Sequence, residues 1–177
     1  MARKTGFCVG NEFDPLKCEY AKNNGEIYNV GPNIQIINKD FLNLAVADIK
    51  YPEDRPSKMD VVYMSPPWGG IGYNMLSEYS VKYLHPDFNM VIRKALEFSR
   101  NIIMFLPKNT SVEELVQHLI PFAAEFSEDS ENRKNELVIE IEQIVYGTSC
   151  KGVHIYTGQM ANVDHREVVE YFYQKYC

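Results

Sequence analysis

Short apolar runs alternate with stretches of helical periodicity along this chain, and that alternation limits the possible folds more than any other feature. The segments "GFCVGNE" (6–12), "NIQIINKD" (33–40), "KMDVVYMS" (58–65) and "NIIMFLP" (101–107) each read as a strand. The first helix is predicted over "DPLKCEYAKNNGEIYNV" (14–30), with Asp14 as N-cap and Pro15 in the first turn. The second, "DFNMVIRKALEFS" (87–99), places Phe88, Val91, Ile92, Ala95 and Leu96 on one face. A third, "SVEELVQHLI" (111–120), opens with Ser111 and Glu114 in capping-box register and ends or kinks at Pro121. Beyond a polar loop at 127–135, "ELVIEIEQIVY" (136–146) and "GVHIYTG" (152–158), joined by "GTSCK", read as a hairpin closing one edge of the sheet. Asp164 and Glu167 stand in capping-box register for a terminal helix over 164–176, and 50–58 is a connector. The expectation is an α/β fold in a single domain, with a core over 6–158 and a helical tail over 159–177.

The net charge of −6 argues against a protein that coats long nucleic acid, which needs a basic stripe. A contact with a few nucleotides, gripped by one or two lysines, stays open. No apolar run approaches membrane-spanning length, and "MARKTGFCVG" lacks the apolar stretch of a signal peptide, so no membrane association is expected. Cys8, Cys18, Cys150 and Cys177 have neither metal-type nor CxxC spacing; they read as reduced thiols, and no metal is expected. His85, His118, His154 and His165 have no HExxH or triad context and read as structural.

In open α/β sheets ligands bind beyond the carboxyl ends of the strands. The first strand ends in Glu12, the second in Asp40 followed by Phe41, the third in Ser65-Pro66-Pro67-Trp68, and the fourth in Pro107-Lys108-Asn109. Two prolines cannot donate to a ladder, and Gly69 and Gly70 give up side-chain packing. Between them stands the only tryptophan, as if held out to something flat. A carboxylate after the second strand of a Rossmann-like unit binds ribose hydroxyls, and one at the next strand end can accept from an adenine amino group. Three consecutive strands thus bring two carboxylates and an aromatic turn to one rim, in outline a nucleoside-cofactor pocket.

The string "SPPW" resembles the (D/N/S)-P-P-(Y/F/W) motif of S-adenosylmethionine-dependent methyltransferases acting on exocyclic or amide nitrogens. The longer "SPPWGGxxY", taken with "EFDPLKCEYAKNNGEIYNV", "NKDFLNL" and "NIIMFLPKN", is similar to the trimethylguanosine synthase family over about 6–158. That resemblance implies a Rossmann-like class I methyltransferase sheet with a C-terminal β-hairpin. It also implies S-adenosyl-L-methionine as cofactor and methyl transfer to the 2-amino group of a 7-methylguanosine RNA cap. The implied substrates are small nuclear and nucleolar RNAs, and the implied location is the nucleus, with its nucleolus, the cytoplasm staying open as well.

A 7-methylated guanine carries positive charge over its rings, and stacking it on Trp68 is worth up to ~2 kcal/mol when desolvated. Ser65 and the Pro66 carbonyl are implied to accept from the 2-amino group, so that Ser65, Pro66 and Trp68 form the catalytic turn by positioning. Glu12, Asp40, Phe41, Ser65 and Pro67 are the implied cofactor contacts. Trp68, Tyr73, Lys108, Asn109 and Lys151 are the implied cap contacts. The family usually has arginine where this chain has Lys108, which keeps the charge but not the bidentate fork.

Family members begin with a strand and glycine-rich loop before the strand that ends at Glu12. Here eleven residues precede Glu12 and already form that strand, so the expected sheet is N-terminally incomplete. Three readings stay open: a fragment of an active enzyme, a chain whose sheet a second chain completes, or an inactive cap-binding or scaffold homologue that has lost the cofactor. Two strand edges would then be left exposed or forced together.

Overall fold

The computed structural model describes residues 6–54, 58–126 and 139–161. The chain divides into two compact units, 1–58 and 59–177.

The first unit is a parallel βαβ crossover. Strand β1 (Cys8–Glu12) runs parallel to β2 (Ile34–Asn38), in register from Cys8 opposite Ile34 to Glu12 opposite Asn38. Helix α1 (Pro15–Ile27) connects them. Asp14 caps it as expected: its carboxylate accepts from the backbone N–H of Leu16 at 2.9 Å and of Lys17 at 3.4 Å. The helix stops three residues before its predicted end because Asn29 takes a left-handed φ of 54°, which asparagine tolerates at a helix C-terminus. Cys18, Val30, Leu44 and Ile49 are the buried apolar side chains of this unit among the described residues.

The second unit holds a mixed sheet in the order β3-β4-β6-β5. β3 (Val62–Met64) is parallel to β4 (Ile102–Leu106), which pairs antiparallel with β6 (Ser149–Thr157), and β6 pairs antiparallel with β5 (Ile139–Tyr146). Ile102, Met104 and Leu106 of β4 and Val153 and Ile155 of β6 point into the core. Phe88, Val91, Ile92 and Ala95 of α2 (Phe88–Leu96) and Leu115 and Leu119 of α3 (Val112–Leu119) are buried apolar positions of the same unit. Each such side chain contributes about 1.5–3 kcal/mol on full burial. Thr157 is buried without cost to its hydroxyl, which accepts from Ile102 N at 3.0 Å and donates to Arg100 O at 2.9 Å.

Three expectations are corrected. The strand predicted over 58–65 has three residues. Upstream of it the Asp60 carbonyl accepts from Ser99 Oγ and Asn101 Nδ2 instead of from a neighbouring strand, and downstream the prolines end it. The Ser111–Glu114 capping box does not form, since the Ser111 side chain caps nothing. Glu114 turns instead to Ser80 Oγ at 3.0 Å and Lys82 Nζ at 2.9 Å. The hairpin is tighter than drawn: β6 starts at Ser149, leaving Gly147-Thr148 as the turn. Pro121 sits in a one-turn 3₁₀ segment, Ile120–Phe122, that passes into a short helix α4 (Ala123–Phe126). The expected loop at 127–135 and helix at 164–176 lie outside the described residues. Among the described residues no helix is long and apolar enough to cross a membrane, and no cluster of three or more metal-ligating side chains occurs.

Candidate functional site

In the first unit the parallel pairing sets Glu12 and Asp40 at the same end. Glu12 closes β1 opposite Asn38, and Asp40 follows two residues after Asn38. Glu12 is half-buried, and its Oε1 accepts from Asp14 N at 2.9 Å, which fixes the turn into α1. Asp40 is half-buried and caps a 3₁₀ turn, Phe41–Asn43, by accepting from Leu42 N at 2.9 Å. Each carboxylate thus spends one oxygen on a backbone N–H. Phe41 opens the 3₁₀ turn, half-buried. The segment beyond is held by Lys39 Nζ on Asp48 Oδ2 at 2.7 Å and by Gln35, which bridges Asp48 O and Lys50 N. The hydrogen bond from Lys39, with one from the Ala45 N–H, holds the Asp48 carboxyl below its usual range.

In the second unit β3 runs out at Met64 into Ser65-Pro66-Pro67-Trp68. Ser65 and Pro67 are exposed, Pro66 half-buried. Gly69 and Gly70 both take positive φ, 85° and 79°, and a Cβ at either would meet nothing within 4 Å. Backbone conformation, not crowding, therefore calls for glycine there. Trp68 is half-buried. Its Nε1–H donates to Phe105 O at 3.3 Å, and its ring meets Tyr73 and Phe105 edge-on, with centroids 5.2 Å away in each case. Tyr73 rides on a 3₁₀ segment, Ile71–Met75.

The loop after β4 clasps the loop after β3. Asn109 Nδ2 donates to Tyr73 O at 3.2 Å and Leu76 O at 2.8 Å, while Tyr79 N donates to Asn109 O at 2.7 Å and Ser111 N to Tyr79 O at 2.9 Å. Both amide hydrogens of Asn109 are thereby used on backbone carbonyls. Among the described residues its buried Oδ1 has no partner, and neither has the hydroxyl of Tyr79, a fully buried ring whose pKa burial pushes up. Lys108 is exposed beside Asn109. Lys151 is exposed near the start of β6, at the end of the sheet where β4 finishes, and touches Ser149 Oγ at 3.3 Å. Trp68, Tyr73, Lys108, Asn109 and Lys151 thus share one rim of the second unit.

Phe105, which touches Trp68, is a further residue of the candidate site and was missed in the sequence. Its signal was positional: an aromatic in "IIMFL" on the face opposite Ile102, Met104 and Leu106.

A family model described as RNA cap guanine-N2 methyltransferase matches residues 1–162. The chain belongs to the RNA cap guanine-N2 methyltransferase family. Trimethylguanosine synthase of Schizosaccharomyces pombe is 36% identical over 112 residues, 62% of this chain and 45% of that protein. Trimethylguanosine synthase of Saccharomyces cerevisiae is 38% identical over 60 residues, 33% of this chain and 19% of that protein. The chain spans less than half the length of the curated relatives it matches.

Among solved structures, the N-terminal domain of human METTL16 superposes with a TM-score of 0.53 at 16% identity, covering 85% of this chain and 51% of that one. A human methyltransferase 10 domain containing protein gives 0.53 at 16% identity, covering 85% and 60%. These likenesses show the fold, that of a Rossmann-like class I methyltransferase.

Proposed function

We propose that this chain transfers methyl groups from S-adenosylmethionine to the exocyclic 2-amino group of a 7-methylguanosine RNA cap, the chemistry for which the two yeast relatives are named. The observation that carries this reading is Trp68. It is a lone tryptophan set on a Pro-Pro and Gly-Gly turn, fixed at its indole N–H and by two edge-on rings, and only half-buried. A positively charged purine gains most from such a ring.

The first unit's donor set fits the adenosine half of the cofactor: two carboxylates at consecutive strand ends, each keeping acceptor capacity for hydroxyl and amino hydrogens. Glu12 is assigned to the ribose, Asp40 to the adenine amino group, and Phe41 to the adenine flank. Ser65 and Pro67 are the cofactor contacts assigned to the second unit. S-adenosylmethionine, when bound, supplies an electrophilic methyl group. Ser65 Oγ and the Pro66 carbonyl accept from the 2-amino group and orient its nitrogen, so catalysis rests on positioning and asks for no strong base. Tyr73, Lys108 and Lys151 face the cap phosphates. Asn109 serves them by holding the Tyr73 loop, its amide hydrogens being spent there.

The substrate class is capped small RNA of the nuclear and nucleolar type, which places the work in the nucleus. A further segment of the protein or a second chain adding a strand belongs to the same reading. Calorimetric titration with S-adenosylhomocysteine and, separately, 7-methylguanosine triphosphate tests it. Uptake of both is expected. Uptake of the cap analogue alone would make the chain a cap reader without transfer, and uptake of neither by folded protein would overturn the reading.

A further inference from the structure

We propose that Phe105 is the residue that positions Trp68 for stacking, and that Gly152 is the gap in β6 that seats the Phe105 ring. The inference deepens the cap-stacking assignment of Trp68 and rests on it. Ile102, Met104 and Leu106 point into the core, so alternation sends Ile103 and Phe105 to the other face of the sheet. There Phe105 holds Trp68 twice. Its carbonyl accepts from the indole N–H at 3.3 Å, and its ring meets the indole at 5.2 Å and 62°.

The ring is itself clamped from β6. His154 lies opposite Phe105 in the antiparallel register, with ring centroids 5.1 Å apart at 65°. Two residues earlier on β6, a Cβ at Gly152 would fall within the Phe105 ring and 2.8 Å from Leu106 O. A glycine inside a strand often marks such a close approach, and here it leaves room for one specific ring.

His154 cannot turn freely. Tyr156 OH lies 2.6 Å from Glu142 Oε2 and 3.3 Å from His154 Nδ1, and Tyr63 OH lies 3.4 Å from Nε2. Tyr156 has one hydrogen and spends it on Glu142, so it accepts from Nδ1–H of His154, while Tyr63 OH meets the ring at Nε2. The chain of fixed groups therefore runs from Glu142 through Tyr156 and His154 to Phe105 and ends on Trp68. A binding surface ordered before its ligand arrives loses less on binding.

Trp68 is the only tryptophan, so fluorescence excited at the red edge, beyond tyrosine absorption, reports its environment alone. Three variants decide the point: Phe105→Leu, which keeps the carbonyl and removes the ring; Gly152→Ala; and, as control, Ile103→Ala on the same face of the same strand. The readouts are the fluorescence anisotropy of Trp68 without ligand, and affinity for 7-methylguanosine triphosphate. Phe105→Leu and Gly152→Ala are expected to lower the anisotropy and weaken the affinity by roughly three- to tenfold. Ile103→Ala is expected to change neither, even where it lowers the unfolding midpoint. Wild-type anisotropy and affinity in Phe105→Leu would overturn the proposal while leaving cap stacking intact. Should the wild-type chain not bind the analogue, the cap assignment fails, and the ligand-free anisotropy alone decides whether Phe105 holds Trp68. Should Gly152→Ala not fold, Phe105→Leu decides.

Discussion

A tryptophan proposed to stack on a charged base needs to be held in place and left partly uncovered, and Trp68 meets both conditions. It is half-buried, its N–H is bound, and two aromatic rings stand edge-on to it. Removing the ring by Trp68→Ala should cost up to ~2 kcal/mol of cation–π attraction, about thirtyfold in affinity for 7-methylguanosine triphosphate. Trp68→Phe should retain part of it, because a smaller ring still has a π-face. Calorimetry on the two variants checks the order, and the same analogue without the 7-methyl charge should bind both more nearly alike. Trp68 stood out in the sequence as a candidate because its neighbours are unusual. Prolines and glycines on either side of a lone tryptophan mark a turn that presents that ring. Phe105 was not legible, because one apolar residue among five in "IIMFL" does not say which face is core. That depends on Gly152 and His154, some fifty residues later in the chain, and no local pattern links them to it.

Between elements, two side chains do work that their spacing did not announce. Glu114 stands where a capping box would use it, three residues after Ser111, yet it bridges α3 to Ser80 and Lys82. Local register names a candidate partner; tertiary packing supplies a better one in Lys82, an opposite charge. Burial raises the Glu114 pKa, but hydrogen bonds from Lys82 and Ser80 outweigh it and hold the carboxyl below its ordinary 4.5. A depressed folded pKa contributes stability above the unfolded value and loses it as the pH falls through the folded one. Glu114→Gln should therefore be less stable than wild type at neutral pH, by at most about 1 kcal/mol for so exposed a pair. The difference should shrink as the pH falls below 4.5 and close below the depressed folded pKa; urea unfolding across the acid range measures it.

Asn109 makes the stronger case. Its two donors pin Tyr73 O and Leu76 O, so Asn109→Ala should cost about 1–3 kcal/mol locally. The amide hydrogens of Leu76 and Tyr79, both bonded within this clasp, should then exchange faster. Asn109→Asp should be worse, because it sets a carboxylate oxygen against carbonyl oxygens. If Asn109 served only as a phosphate contact, exchange at those two amides would stay unchanged while cap affinity fell.

For the whole molecule, the two units are unequally built. The first contributes Cys18, Val30, Leu44 and Ile49 to the buried apolar side chains among the described residues, and both of its strands are at best half-buried. On the other side stand the fully covered Phe88, Ile92, Ile102, Met104, Leu106, Leu115, Leu119 and Phe122 of the second unit. Small units bury a lower fraction of their surface and open more easily. Amides of β1 and β2 should therefore exchange at lower protection than those of β4 and β6. The candidate cofactor carboxylates sit on the weaker unit, so the cofactor should do more there than occupy a site. A ligand that binds only the folded form stabilises it by mass action, about 2.7 kcal/mol at a hundred times its dissociation constant. Adding S-adenosylhomocysteine should raise protection through 8–14 and 34–42, including the Asp14 and Leu42 amides that bond to Glu12 and Asp40. Adding 7-methylguanosine triphosphate should act first at 73–79 and 109–111, where the Asn109 clasp holds the rim. Equal protection in both units, rising together with either ligand, would show one cooperative domain. The fragility assigned to residues 6–54 would then be wrong, because cooperative opening lets the large core of the second unit stabilise the carboxylate ends of β1 and β2 as its own.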